Sequence, residues 1–344
     1  MATQKQPTLA QWRAIYDAAI RLKKLAPWEF MQETDIFGVQ DPKTGRVGFV
    51  SVMGARGEHF GIAAYIDPLA LYQFWTFAEY GEEMDPVRLF EIEQLTLSYE
   101  DRDMLDKKDR AVIKKLGLRF RGRNAWPVFR KITPGYLPWF IDAEDAPFLR
   151  HILEQTLDVT QRLRKQPHLL DIEDEDSIEY LIRVPRETET GLVWEDEWRE
   201  VPLPETTLEW KLDEELLARV KKLPQISNMV EMELFPLLFP VATDEGRPFI
   251  PYVMLVVDRK SGMILDAGLN QPMPDYWGLL ENLPNLILTE FIRLGGIPQR
   301  IYVRTDTLAD HLEFLKQFLP FEVIFSSNIR HLESAKEGLQ EFLG

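Results

Sequence analysis

The sequence predicts an α+β domain followed by an α/β domain with a mixed sheet and helices on both faces, the two joined by an acidic connector. Three observations predict this. A chain of 344 residues is too long for one ordinary compact core and divides into two. The first half places a meander of strands among helices, whereas residues 230–343 follow the succession β-β-β-α-β-α-β-α. Between them, Asp171 to Glu200 holds twelve Asp/Glu against three Arg, a change of character that separates the halves. The expected boundaries are 1–168, a connector with a hairpin over 169–222, and 223–344.

Each element has a local reason. Thr8 and Gln11 form a capping-box pattern, and Leu9, Trp12, Tyr16, Ala19 and Ile20 make a helical stripe that Pro27 stops. Strands are expected at 36–39, 47–53, 60–66 and 95–99, the first two joined through Asp41 to Gly45, where glycine takes a positive φ. The spacing of Leu71, Phe74, Trp75 and Phe77 is helical. A helix over 103–116 ends at Gly117, and a long helix starts after Asp142 with Phe148, Leu149, Ile152, Leu153, Thr156 and Leu163 on one side. The connector opens with the acids Asp171 to Asp176 and holds a hairpin turning at Glu187 to Gly191. Beyond it come strands at 230–239, 250–257 and 263–269, with Asp258 to Gly262 closing the second hairpin. A helix over 275–294 ends at Gly295-Gly296 with Pro298 beyond. Strand 301–305, helix 308–318, strand 321–325 and helix 332–342 complete the order.

Composition narrows the chemistry. There is no cysteine, so disulfides, thiolate metal sites and Cys nucleophiles are absent. The five His (His59, His151, His168, His311, His331) include no pair at metal-ligand spacing. No Ser-His-Asp order or dinucleotide glycine fingerprint occurs, and the loop Gly54 to Gly61 lacks the Lys-Ser/Thr of a phosphate loop. No segment approaches the ~20 apolar residues of a membrane span and no export signal is visible, so a cytoplasmic location without membrane contact is expected. With 45% hydrophobic residues the chain is globular despite a net charge of −16, and so acidic a surface repels bulk nucleic acid unless a local patch dominates.

One such patch exists. Lys107 to Lys131 holds ten Lys/Arg against one acid and runs into Trp126, Phe129, Tyr136, Trp139 and Phe140. Arg119, Arg121, Arg123, Trp126, Arg130 and Lys131 are the candidate contacts for a nucleic acid or another anion, so a protein or nucleic-acid partner through 107–140 is one reading. A core strand flanked by solvated or ion-paired Arg is the other. The matched charges further suggest that Asp171 to Glu200 folds back over 107–131. Asp258, opening a Lys-Ser-Gly turn, reads as a turn residue.

Residues 230–343, about a third of the chain, resemble the ribonuclease H-like core of retroviral integrases and transposases, on their element order, on Val256 to Ile264 as the second hairpin and on Pro298 to Asp306 as the fourth strand. The resemblance implies strand order 3-2-1-4-5. In active members, carboxylates of the first strand, the end of the fourth strand and the last helix bind two Mg²⁺. The matching positions here are Glu233 or Glu231, Asp306, and Glu333, Glu337 or Glu341. Strand one carries Glu where that fold uses Asp, and Asp306 also suits a helix N-cap. The whole chain resembles a group of uncharacterised bacterial proteins on Trp28-Glu29-Phe30, Phe120 to Arg123, Trp126-Pro127 and Pro134 to Phe140. Two functions are therefore expected: first, a cofactor-free binding or regulatory protein, not an enzyme, with a non-catalytic ribonuclease H-like domain; second, an Mg²⁺-dependent nuclease or phosphoryl-transfer enzyme using Glu233, Asp306 and Glu337.

Overall fold

The computed structural model describes residues 5–80, 86–172, 177–189, 191–204, 208–237, 239–242 and 247–343. Most of the acidic run at 173–176 and Thr190 of the hairpin turn lie outside them. The described residues form two mixed sheets and nine α-helices, in two compact units: residues 1–133 with 138–205, and residues 134–137 with 206–344. Among them no helix is long and apolar enough to cross a membrane.

The first unit is built on a seven-stranded sheet. Strands β1 (Phe37–Gln40), β2 (Val47–Met53), β3 (Gly61–Ile66) and β4 (Gln94–Glu100) form the expected meander, antiparallel throughout; β5 (Trp126–Ile132), from the basic stretch, adds to it at one edge and β6 (Glu179–Thr188) and β7 (Gly191–Glu200) at the other, in the order β5-β4-β3-β2-β1-β6-β7. β6 runs parallel to β1. Alternation sorts the side chains: Val50, Val52, Ile62 and Leu97 join helices α1 (Leu9–Leu25) and α4 (Asp145–Leu163), while Phe49, Ala63 and Tyr65 meet α2 (Asp67–Tyr80) on the other face. The Thr8/Gln11 capping box forms at the start of α1. The expected helix at 103–116 divides into a short turn at Arg102–Met104 and α3 (Lys107–Lys115), which a second capping box on Asp106 and Asp109 starts.

Two expectations are corrected here. The hairpin assigned to the connector belongs to this sheet, because Leu181, Ile182 and Val184 are fully buried between β1 and β7 and supply core to both faces. Charge marked the segment as a spacer; burial makes it structure. The described residues of the acidic stretch also do not fold back over the basic one. β5 and β7 are the opposite edges of the sheet, six strand spacings or about 29 Å apart. The hairpin's acids pair locally instead: Asp196 with Arg162 and Arg183, Glu195 with Arg186, and Glu197 with Arg199.

The second unit carries a five-stranded sheet in the order β10-β9-β8-β11-β12, the 3-2-1-4-5 order expected. The strands are β8 (Gln225–Pro236), β9 (Tyr252–Asp258), β10 (Ile264–Asn270), β11 (Ile297–Val303) and β12 (Glu322–Phe325), with β8 antiparallel to β9 and parallel to β11. Helices α5 (Glu214–Val220), α7 (Leu283–Leu294) and α8 (Asp306–Lys316) cover one face, and α9 (Arg330–Leu343) covers the other. Pro134 to Leu137, read in the sequence as part of an aromatic block, belong to this unit: Tyr136 bridges Phe249 and its hydroxyl donates to the Pro272 carbonyl at 2.7 Å.

The helix expected over 275–294 is two helices, α6 (Tyr276–Glu281) and α7. Pro284 has no N–H and its ring crowds the carbonyl four residues back, that of Leu280. His311 on α8 reaches that carbonyl with Nε2 at 3.0 Å, and its Nδ1 lies 2.6 Å from the Thr307 carbonyl. Burial pushes this ring toward its neutral form, while the two carbonyls favour the doubly protonated one.

Candidate functional site

Strand β8 decides where the candidate carboxylates point. Along Val230-Glu231-Met232-Glu233-Leu234-Phe235, the even positions Val230 and Met232 join the α7/α8 core, while Phe235 joins the α9 face and brings Glu231 and Glu233 with it. Both are buried. A buried carboxylate needs a cation or hydrogen-bond donors, and each has both. Glu231 accepts from the Arg259 guanidinium at 2.6 Å and from the backbone N–H of Leu332 at 2.9 Å. Leu332 lies in the first turn of α9, where N–H groups have no intrahelical acceptor, so a strand side chain serves as that helix's N-terminal acceptor. Arg259 donates as well to the Asn328 carbonyl at 3.2 Å and lies 3.8 Å over the Tyr302 ring.

Glu233 sits between two cations, Arg304 at 2.8 Å and Lys336 at 3.5 Å, and Arg304 reaches on to Glu333 at 2.9 Å. The guanidinium thus bridges the first-strand carboxylate and the last-helix carboxylate, the two groups that a metal would have to share. The remaining expected ligands are not gathered with them. Asp306 is exposed at the first residue of α8, and Glu337 is exposed on α9; the side chain of Glu341 lies outside the described residues. Asp306 is also not the helix N-cap: Thr305 holds that position without a side-chain cap bond. Among the described residues no three His, Cys, Asp or Glu side chains form a group able to hold a metal ion. Asp258 is the turn residue expected, its Oδ1 accepting from the Ser261 N–H and hydroxyl at 2.8 and 2.7 Å, which hold its carboxyl below the usual range.

The cations that define this cluster carry no signal in the sequence. Arg304 lies two residues before Asp306 and Arg259 directly follows Asp258, yet no spacing rule links either to β8. A second group was missed for the same reason. Glu290 on α7 is buried against β10, where Arg293 donates to it at 2.8 Å and to Asp266 at 3.0 Å. Gly268 makes the room: a Cβ there would stand 2.8 Å from Glu290 Oε1 and 2.6 Å from the Arg293 guanidinium. Burial and the neighbouring Asp266 push the Glu290 carboxyl up to about 8, and the hydrogen bond it offers lowers Asp266.

The basic stretch separates into two kinds of residue. Arg130 grips Asp109 with two bonds, at 2.9 and 2.7 Å, and Lys131 pairs with Asp145 at 2.7 Å. These two are structural. Burial raises the Asp145 carboxyl, and Lys131 opposes that. Trp126 packs edge-on to Phe120 at 5.6 Å, and the Phe140 ring is met by Lys108 and Arg130, each at 4.5 Å. Arg119, Arg121 and Arg123 are exposed. Asp109→Ala removes both the Arg130 partner and half of a capping box, so it is expected to cost roughly 2–3 kcal/mol, read as a fall in thermal melting with Asp109→Asn intermediate. A loss below about 0.5 kcal/mol would show that α3 is held by its apolar contacts alone.

Comparison with known proteins gives two family matches. Residues 12–183 match the family described as a domain of unknown function, DUF7309, and residues 216–340 match a second, DUF6930. No curated protein matches the chain.

Proposed function

The chain belongs to the DUF7309 family, a domain of unknown function, and from the arrangement of its buried carboxylates we propose that it is a cytoplasmic binding or regulatory protein whose C-terminal unit is a ribonuclease H-like domain without metal chemistry. The domain reading is supported by the 3-2-1-4-5 strand order with helices on both faces. The single observation that carries the functional reading is Arg304. It lies against both Glu233 and Glu333, and a cation pair so placed competes directly with a divalent ion. The carboxylates hold α9 to the sheet: Glu231 takes its first-turn N–H, Glu233 takes Lys336, and Arg304 takes Glu333. The first unit then supplies the binding surface, since it displays Arg119, Arg121 and Arg123 to solvent.

The test is direct. Purified protein with Mg²⁺ or Mn²⁺ is expected to leave single-stranded, duplex and hybrid nucleic acid intact, and Asp306→Asn to leave stability within about 0.5 kcal/mol of the parent, because the residue is exposed and caps nothing. Metal-dependent cleavage that disappears in both Glu233→Gln and Asp306→Asn would replace this reading with an Mg²⁺-dependent nuclease using Glu233, Asp306 and Glu337.

A further inference from the structure

The first unit displays its cations on a fixed base. Helix α3 exposes Lys107, Arg110, Lys114 and Lys115, and the segment after it exposes Arg119, Arg121 and Arg123. Asp109, buried and bound to Arg130, pins the helix, and Arg13 holds the Leu116 carbonyl at its end. Leu118 and Phe120 pack on the core, Phe120 stacking on Tyr16 at 6.2 Å, and the residues alternating with them, Arg119 and Arg121, face outward. Among the described residues six of these seven cations have no carboxylate within ion-pair reach, and Arg123 stands 4.0 Å from Asp101. In a chain with 56 Asp/Glu against 40 Lys/Arg, such a set is left for a partner.

We propose that this face binds the phosphate backbone of a duplex nucleic acid; the inference rests on reading the chain as a binding protein. Arrangement selects the partner. Four of the cations lie on the nine residues of α3, which span about 13.5 Å, and the other three follow on 119–123, so the face presents one row on the helix and a second on the segment after it, which suits the two phosphate rows of a duplex better than the single row of one strand or of an acidic peptide. Single strands are further disfavoured because Trp126 and Phe140, the rings next to the patch, are engaged by Phe120, Lys108 and Arg130 instead of lying open for base stacking. The contacts are to backbone alone, so binding is independent of base sequence and steeply dependent on salt. The acids beside the patch, Asp101, Asp103 and Asp106, oppose binding through a repulsion that salt also screens, and Asp106 is committed to the α3 cap.

Fluorescence anisotropy of the full chain with labelled duplex DNA, duplex RNA, single-stranded DNA and polyglutamate, each from 50 to 200 mM salt, tests this. At least one duplex should bind at 50 mM and weaken about 10³-fold or more by 200 mM. The triple variant Arg119→Ala, Arg121→Ala, Arg123→Ala should melt as the parent does and lower the slope of log K against log salt by about 2.7. Lys260→Ala, an exposed cation of the other unit, should leave binding unchanged. Absence of duplex binding at 50 mM, an unchanged slope in the triple variant, or tighter binding of single strands or polyglutamate overturns the proposal. Cleavage of the probe when Mn²⁺ is added would instead overturn the non-catalytic reading, which the same samples run on a gel reveal.

Discussion

Arg304→Ala is expected to destabilise the C-terminal unit by roughly 3 kcal/mol, because it strands the buried Glu233 with Lys336 alone, 3.5 Å away. Taking both charges out of water is costly, so the pair itself adds little net stability; removing one partner exposes the full penalty of the other. Two consequences separate this from a simple loss of packing. Arg304→Met combined with Glu233→Leu should recover most of the loss, since an apolar pair of similar size needs no compensation. Amide exchange should accelerate in α9, whose residues Glu333 and Lys336 share the network. Urea unfolding followed by circular dichroism measures the first effect. A loss below about 1 kcal/mol, or a double variant no better than the single one, would mean that Ile329, Leu332 and Ala335 hold α9 without the ion pairs.

Raising the pH from 5 to 9 should destabilise the same unit through Glu290, by roughly 2–4 kcal/mol once screening at the open edge of β10 is allowed for. The sign follows from the direction of the shift. Burial and the adjacent Asp266 hold the folded carboxyl up at about 8, against an ordinary value of 4.5. The folded state therefore keeps a proton that the unfolded chain releases near 4.5; the stabilisation is complete below that pH and disappears as the pH rises through 8. Asp266 acts in the opposite sense, its depressed carboxyl costing stability only at low pH. Glu290→Gln should flatten the profile between pH 5 and 9 while keeping a donor toward Asp266. A parent profile that is already flat over this range would show that Glu290 is ionised in the folded protein and neutralised by Arg293.

How much could be read in advance depends on the range of the interaction. The α1 cap was legible because Thr8 and Gln11 are three residues apart, and the Asp258 turn because its donors are Lys260 and Ser261. The split of 275–294 was legible in principle from Pro284, but the continuous apolar stripe masked it. The start of β8 was missed because Gln225, Ser227 and Asn228 interrupt the apolar run, and the segment gains its place by pairing with β11. The hairpin at 179–200 was misplaced because its charges face solvent on β7 while its buried residues lie on β6.

The candidate site shows the same division. The carboxylates Glu231 and Glu233 could be found from the sequence because they alternate with Val230 and Met232 on one strand. That they face Arg259, Arg304 and Lys336, 28, 71 and 103 positions away, could not. By itself the sequence determined the succession of elements in the C-terminal unit, the exclusion of thiol chemistry and the presence of a basic segment, which follow from composition and from patterns within a few residues; the strand order was implied only by the resemblance that this succession carries. Only the tertiary structure decided which charges are paired. Arg130 and Lys131 are consumed by Asp109 and Asp145, whereas Arg119 and Arg121 have no ion-pair partner among the described residues, because an ion pair depends on distances of a few Å between strands and helices that adjacency in the chain does not specify.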